Sequence, residues 1–116
     1  MRKDARNRPT IGSHQWLDQL DLKMCRRIAT KVRRDPNLMR IPKTNLQRWK
    51  QKLGYWPPAL REWDKIIRTH PLPRVLAILT QDNDEGQRLR QSDPFVGILT
   101  EQERRSFLKL NEKIPA

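Results

Sequence analysis

Apolar residues return every three or four positions along most of this chain and nowhere alternate, a pattern of helices without strands. The clearest stripe is Met24, Cys25, Ile28, Ala29 and Val32. It predicts a helix from about Asp21 to Arg34, with Asp21 as N-cap and Leu17 and Leu20 packing back onto the stripe. Asp35-Pro36 restarts a helix, a capping residue followed by proline at the first helical position. Leu38, Leu46, Trp49 and Leu53 then share a face as far as about Lys52. Pro42 falls on that face. It either kinks the helix or divides it into a short turn and a second helix from Lys43. Gly54 is the C-terminal stop.

Tyr55-Trp56-Pro57-Pro58 forms a rigid joint, and Leu60, Trp63, Ile66 and Ile67 mark the next helix, Pro58 to about Arg68. A short apolar helix follows from Pro73 to about Thr80, with Val75, Leu76, Ile78 and Leu79. An acidic turn from Gln81 to Glu85 leads into a polar helical segment ending near Gln91. Ser92-Asp93-Pro94 breaks that segment. Phe95, Val96, Ile98 and Leu99 form an apolar loop expected to plug the core. Thr100-Glu101-Gln102-Glu103 spells a capping box for a last helix carrying Phe107, Leu108 and Leu110. The expected class is all-α, a compact bundle of about five to six short helices. Residues 14–116 form one domain in this reading, and residues 1–13 a disordered basic arm.

Composition narrows this picture. A hydrophobic fraction of 35 % in 116 residues predicts a small core. No apolar run approaches the roughly 18 residues needed to cross a bilayer, and no apolar segment follows the charged N-terminus as a secretory signal would require. Cys25 is the lone cysteine, which suits a cytoplasmic, reducing compartment. The charge is unevenly placed. Residues 1–56 hold fifteen basic and four acidic side chains, a net of +11, while residues 57–116 hold ten and nine, a net of +1. A basic half of this kind points to nucleic acid, DNA or RNA, or to an acidic protein surface.

On the first helix Lys23, Arg26, Arg27, Lys31, Arg33 and Arg34 fall opposite the apolar stripe, with no acid nearby in sequence to pair with them. Arg40, Lys43, Arg48 and Lys50 extend the basic character along the second. These ten residues are the expected phosphate contacts, which position a backbone without reading bases. The two basic helices form an expected helix-turn-helix-like pair, joined more tightly than the usual glycine-containing turn. Trp49 and Trp63 sit on apolar faces and are expected in the core. Trp16 and Trp56 are the candidates for base stacking or partner contact.

Catalytic chemistry is not indicated. His14 and His70 are far apart, and with one cysteine they give no zinc-binding spacing. Asp82-Asn83-Asp84-Glu85-Gly86 resembles the start of a calcium loop, but Gly86 stands at the fifth position and no glutamate at the twelfth, so a helix-capping turn is expected. There is no phosphate-binding glycine loop and no nucleophile elbow. The expectation is a protein without catalytic residues, metal or cofactor.

Several stretches between Leu22 and Glu103 are similar to a family of small all-helical bacterial proteins of unknown function. Its members are often encoded beside minimal nucleotidyltransferases in toxin–antitoxin or defence pairs. The similar residues are Ile28-Ala29 through Asp35-Pro36, Asn45-Leu46-Gln47-Arg48-Trp49, Pro58-Ala59-Leu60-Arg61-Glu62-Trp63 and Leu79-Thr80. The longest run is Arg88-Leu89-Arg90-Gln91-Ser92-Asp93-Pro94-Phe95-Val96-Gly97-Ile98-Leu99-Thr100. These are helix, turn and capping residues, and Pro42 departs from the pattern. The resemblance implies an antitoxin-like role with a toxin, such as a nucleotidyltransferase, as protein partner. It carries over no active-site residue. The expected function is therefore an antitoxin-like basic protein that binds nucleic acid and a partner protein. The alternatives are a module docking on an acidic toxin or enzyme without nucleic acid, and an RNA- or ribosome-associated factor.

Overall fold

A computed structural model describes residues 14–112, and the arm expected over 1–13 lies outside that range. Among the described residues the chain is all-helical. Its elements are α1 (His14–Arg34), a 3-10 turn (Pro36–Met39), α2 (Arg40–Leu53), α3 (Pro58–Thr69), α4 (Leu72–Leu79), α5 (Asp84–Arg90) and α6 (Glu101–Glu112). None of these helices is long and apolar enough to cross a membrane.

Helix α1 is longer than its apolar stripe predicts. It runs through Asp21, which is therefore interior and not an N-cap, because no glycine or proline interrupts residues 14–20. Leu17 in this extension is 47 % exposed instead of packing back. The stripe itself is as expected, with Cys25, Ile28, Ala29 and Val32 buried. The Asp35 carboxylate accepts from Asn37 N at 3.3 Å and opens the 3-10 turn. Pro42 does not kink a helix. The turn ends at Met39 and α2 starts at Arg40, not Lys43, which leaves Pro42 in a first turn where its missing N–H has no intrahelical partner to lose. Gly54 takes a left-handed φ of 76° and its N–H donates to Lys50 O at 3.1 Å, closing α2. Leu53 lies half-exposed beside this stop and does not share the buried face of Leu46.

Packing follows chain order through α2, α3, α4 and α5, while α1 lies across the 3-10 turn, α4 and α5. Trp63 is fully buried and packs edge-on against Phe95, ring centroids 5.7 Å apart and planes at 75°. Its indole Nε1 donates to Leu89 O at 2.8 Å, so the one polar atom of the ring is satisfied inside the core. The loop after α5 plugs the core as expected through Phe95, Ile98 and Leu99, whereas Val96 turns outward and is 63 % exposed. Asn45 on α2 clasps this loop, its Nδ2 donating to Pro94 O at 2.9 Å and Val96 O at 2.8 Å. The polar segment predicted before Gln91 ends with Leu89 and Arg90 buried. There Arg90 Nη1 donates to the carbonyls of Leu79 at 3.0 Å and Gln81 at 2.6 Å.

Helix α6 stands at the edge of this core. Thr100 and Glu103 form the reciprocal capping box, Thr100 N donating to Glu103 Oε1 at 2.8 Å and Glu103 N to Thr100 Oγ1 at 3.1 Å. Phe107 is buried, Leu108 partly so, and Leu110 is 58 % exposed instead of completing an apolar face.

Candidate nucleic-acid interface

On α1, Lys23, Arg27 and Lys31 recur one turn apart and Arg34 continues the row, so all four project along one side. The start of α6 lies beside that side. Between the two helices runs a groove of about 630 Å³. Lys23, Arg26, Arg27, Lys31 and Arg34 line one wall with Thr30, and Gln102, Glu103 and Ser106 form the other, with Leu99 also contributing.

Two contacts set the groove's width. Lys31 Nζ donates to Ile98 O at 2.8 Å and pairs with Glu103 Oε1 at 2.6 Å. The Arg27 guanidinium sits 5.4 Å from the Phe107 ring centroid, a cation–π contact. The Lys31 ammonium and the Thr100 N–H hold the Glu103 carboxyl down at about 2, from an ordinary 4.5. Lys31 is thus paired within the fold by an acid that comes from distant sequence. Arg26 likewise reaches Asp82 at 3.8 Å, a loose pair between two exposed side chains. Lys23, Arg27 and Arg34 have no acidic partner among the described residues.

The structure divides the ten expected phosphate contacts. Five line the groove, while Arg33, Arg40, Lys43, Arg48 and Lys50 lie outside it. The groove partner of α1 is α6, not α2. Lys50 belongs to a separate patch with Gln47, Gln51, Gly54 and Tyr55, where its ammonium lies 4.1 Å from the Trp56 ring centroid. Trp56, a stacking candidate, is therefore half-buried under a lysine, and Trp16 is also half-buried. Trp49 packs against the core as expected. The acidic turn is accounted for by structure. Asn83 caps α5 by accepting from Gly86 N at 2.7 Å, Asp82 meets Arg26, and Glu85 pairs with Arg88 at 2.7 Å.

One cluster escaped the sequence reading. Cys25 Sγ lies 4.0 Å from Asp21 Oδ1 and 4.0 Å from Asp93 Oδ2. Asp21 and Cys25 stand one turn apart on α1, and Asp93 comes from the loop after α5. Burial raises the Asp93 carboxyl to about 6 and pushes Asp21 and the Cys25 thiol upward. The only sequence signal for it was the four-residue spacing of Asp21 and Cys25; the third member is 68 residues further on.

In comparisons with known proteins, no family model, no curated protein and no solved structure matches this chain.

Proposed function

We propose that this protein binds nucleic acid by laying a phosphate backbone in the groove between α1 and α6, and that it does so as the antitoxin-like member of a two-protein pair. The observation that supports the first part is the convergence of five cationic side chains on one groove, three of them without an acidic partner. Side-chain hydroxyls and an amide on Thr30, Ser106 and Gln102 supply further groups suited to phosphate oxygens. With Lys31 already paired to Glu103, four cations remain for phosphates. Contacts of this kind to phosphate position a backbone without reading its sequence. The second part rests on the sequence similarity between Leu22 and Glu103, and the reducing compartment proposed for it, the cytoplasm, on the lone Cys25.

The test compares two variants of equal charge loss. Lys23, Arg27 and Arg34 are changed to Gln in one, and Arg40, Lys43 and Arg48 in the other. Fluorescence anisotropy on labelled duplex DNA, single-stranded DNA and RNA then reports affinity. Loss concentrated in the groove variant is the expected result. Equal loss in both would point to diffuse charge attraction, and binding to none of the three would favour an acidic protein as the partner of the basic half.

A further inference from the structure

Three potential ligand atoms, two carboxylate oxygens and a thiol sulfur, converge from two elements onto one point of the fold. The Asp21, Cys25 and Asp93 donor atoms all lie within 4.8 Å of one another. We infer that Asp21, Cys25 and Asp93 form a three-ligand site for a divalent cation of zinc type, which ties α1 to the loop after α5. This inference is independent of the nucleic-acid groove.

The geometry is close to what such an ion requires. Zinc sits about 2.3 Å from a thiolate and about 2.0–2.2 Å from a carboxylate oxygen, so a tetrahedral site sets sulfur and oxygen about 3.5 Å apart. Both sulfur–oxygen separations here are 4.0 Å, so a small inward movement closes the site. Asp21 and Cys25 occupy the i, i+4 positions of a rigid helix and present two ligands on one side. Asp93 is oriented independently, its other oxygen accepting from Phe95 N at 2.9 Å. That bond gives the third ligand an outer partner, as metal ligands characteristically have.

Two carboxylates and a thiol line a space of about 190 Å³ together with Met24, Ile28, Phe95 and Arg104. Arg90, buried in the same region, donates to the Leu79 and Gln81 carbonyls. Coordination replaces the S–H bond of Cys25 by a sulfur–metal bond and releases that proton to solvent, together with any proton held by the carboxyls. A thiolate among the ligands favours zinc over magnesium or calcium. A tetrahedral ion held by three side chains keeps one position for water.

The experiment strips the purified full chain with a chelator and titrates it with Co²⁺ as an optical probe. The expected result is one equivalent bound per chain with a thiolate-to-cobalt charge-transfer band, displaced by Zn²⁺, and a rise in the denaturation midpoint when Zn²⁺ is added. The band should be lost in Cys25→Ser and diminished in both Asp21→Asn and Asp93→Asn. Circular dichroism checks the fold of each variant, and should Cys25→Ser fail to fold, the two Asn variants decide. Absence of the band from the folded chain, or a band unchanged in either Asn variant, overturns the three-ligand assignment.

Discussion

Lys31 and Glu103, 72 residues apart in sequence, meet through Nζ and Oε1 at 2.6 Å and fix α6 beside α1. The same carboxylate caps its own helix through Thr100 N. One glutamate therefore both starts α6 and holds it against the cationic row. Removing its charge should loosen the groove wall without disturbing the core.

That relationship has a pH signature. The Glu103 carboxyl, ordinarily near 4.5, is lowered to about 2 in the fold. A lowered folded pKa means the unfolded chain binds more protons between the two values, so stability rises with pH across that interval. The contribution is fully present above 4.5 and lost as pH falls toward 2. Glu103→Gln keeps an acceptor for the capping box while deleting the charge. Its denaturation midpoint should lie below that of the parent at neutral pH and converge with it toward pH 2, measured by thermal melts across an acid series.

Phe95 is fully buried against Trp63, so Phe95→Ala removes an edge-to-face contact and leaves a cavity at the centre of the fold. Chemical denaturation should show a loss of about 3–5 kcal/mol. Val96→Ala, one residue on and 63 % exposed, should stay within about 0.5 kcal/mol of the parent.

Asn45→Ala should cost about 1–3 kcal/mol, because the Pro94 and Val96 carbonyls each lose their side-chain donor. A larger effect is expected at Gly86, where an added Cβ would run into the backbone carbonyl of Gln81. Gly86→Ala therefore forces the turn before α5 to shift, and urea denaturation should place its loss at or above the roughly 1–3 kcal/mol of an overpacked site.

Local patterns made most of this fold legible. Proline, glycine and capping signals marked the 3-10 turn at Asp35-Pro36, the stop at Gly54 and the box at Thr100-Glu103, because each is a short-range hydrogen-bonding rule. The start of α1 was misread because Asp21 is a good N-cap by type, yet here its carboxylate faces Cys25 instead of an open helix end. Leu53, Val96 and Leu110 are exposed although their spacing predicts buried faces, because spacing alone does not tell where a small core runs out. For the groove, sequence identified the cations on α1 but not their wall. Helix α6 is nearly neutral, and its place beside α1 depends on Lys31–Glu103 and Arg27–Phe107, both long-range contacts.

The salt dependence of nucleic-acid affinity tests the central claim most directly. Four cations meeting four phosphates give a log–log slope of about −3 to −4, a loss of about two decades between roughly 50 and 200 mM salt. The account predicts that slope for the parent chain and a slope near −1 for the variant with Lys23, Arg27 and Arg34 changed to Gln, with helicity unchanged. Absence of binding at the lowest salt, or a slope unaltered in that variant, would contradict it.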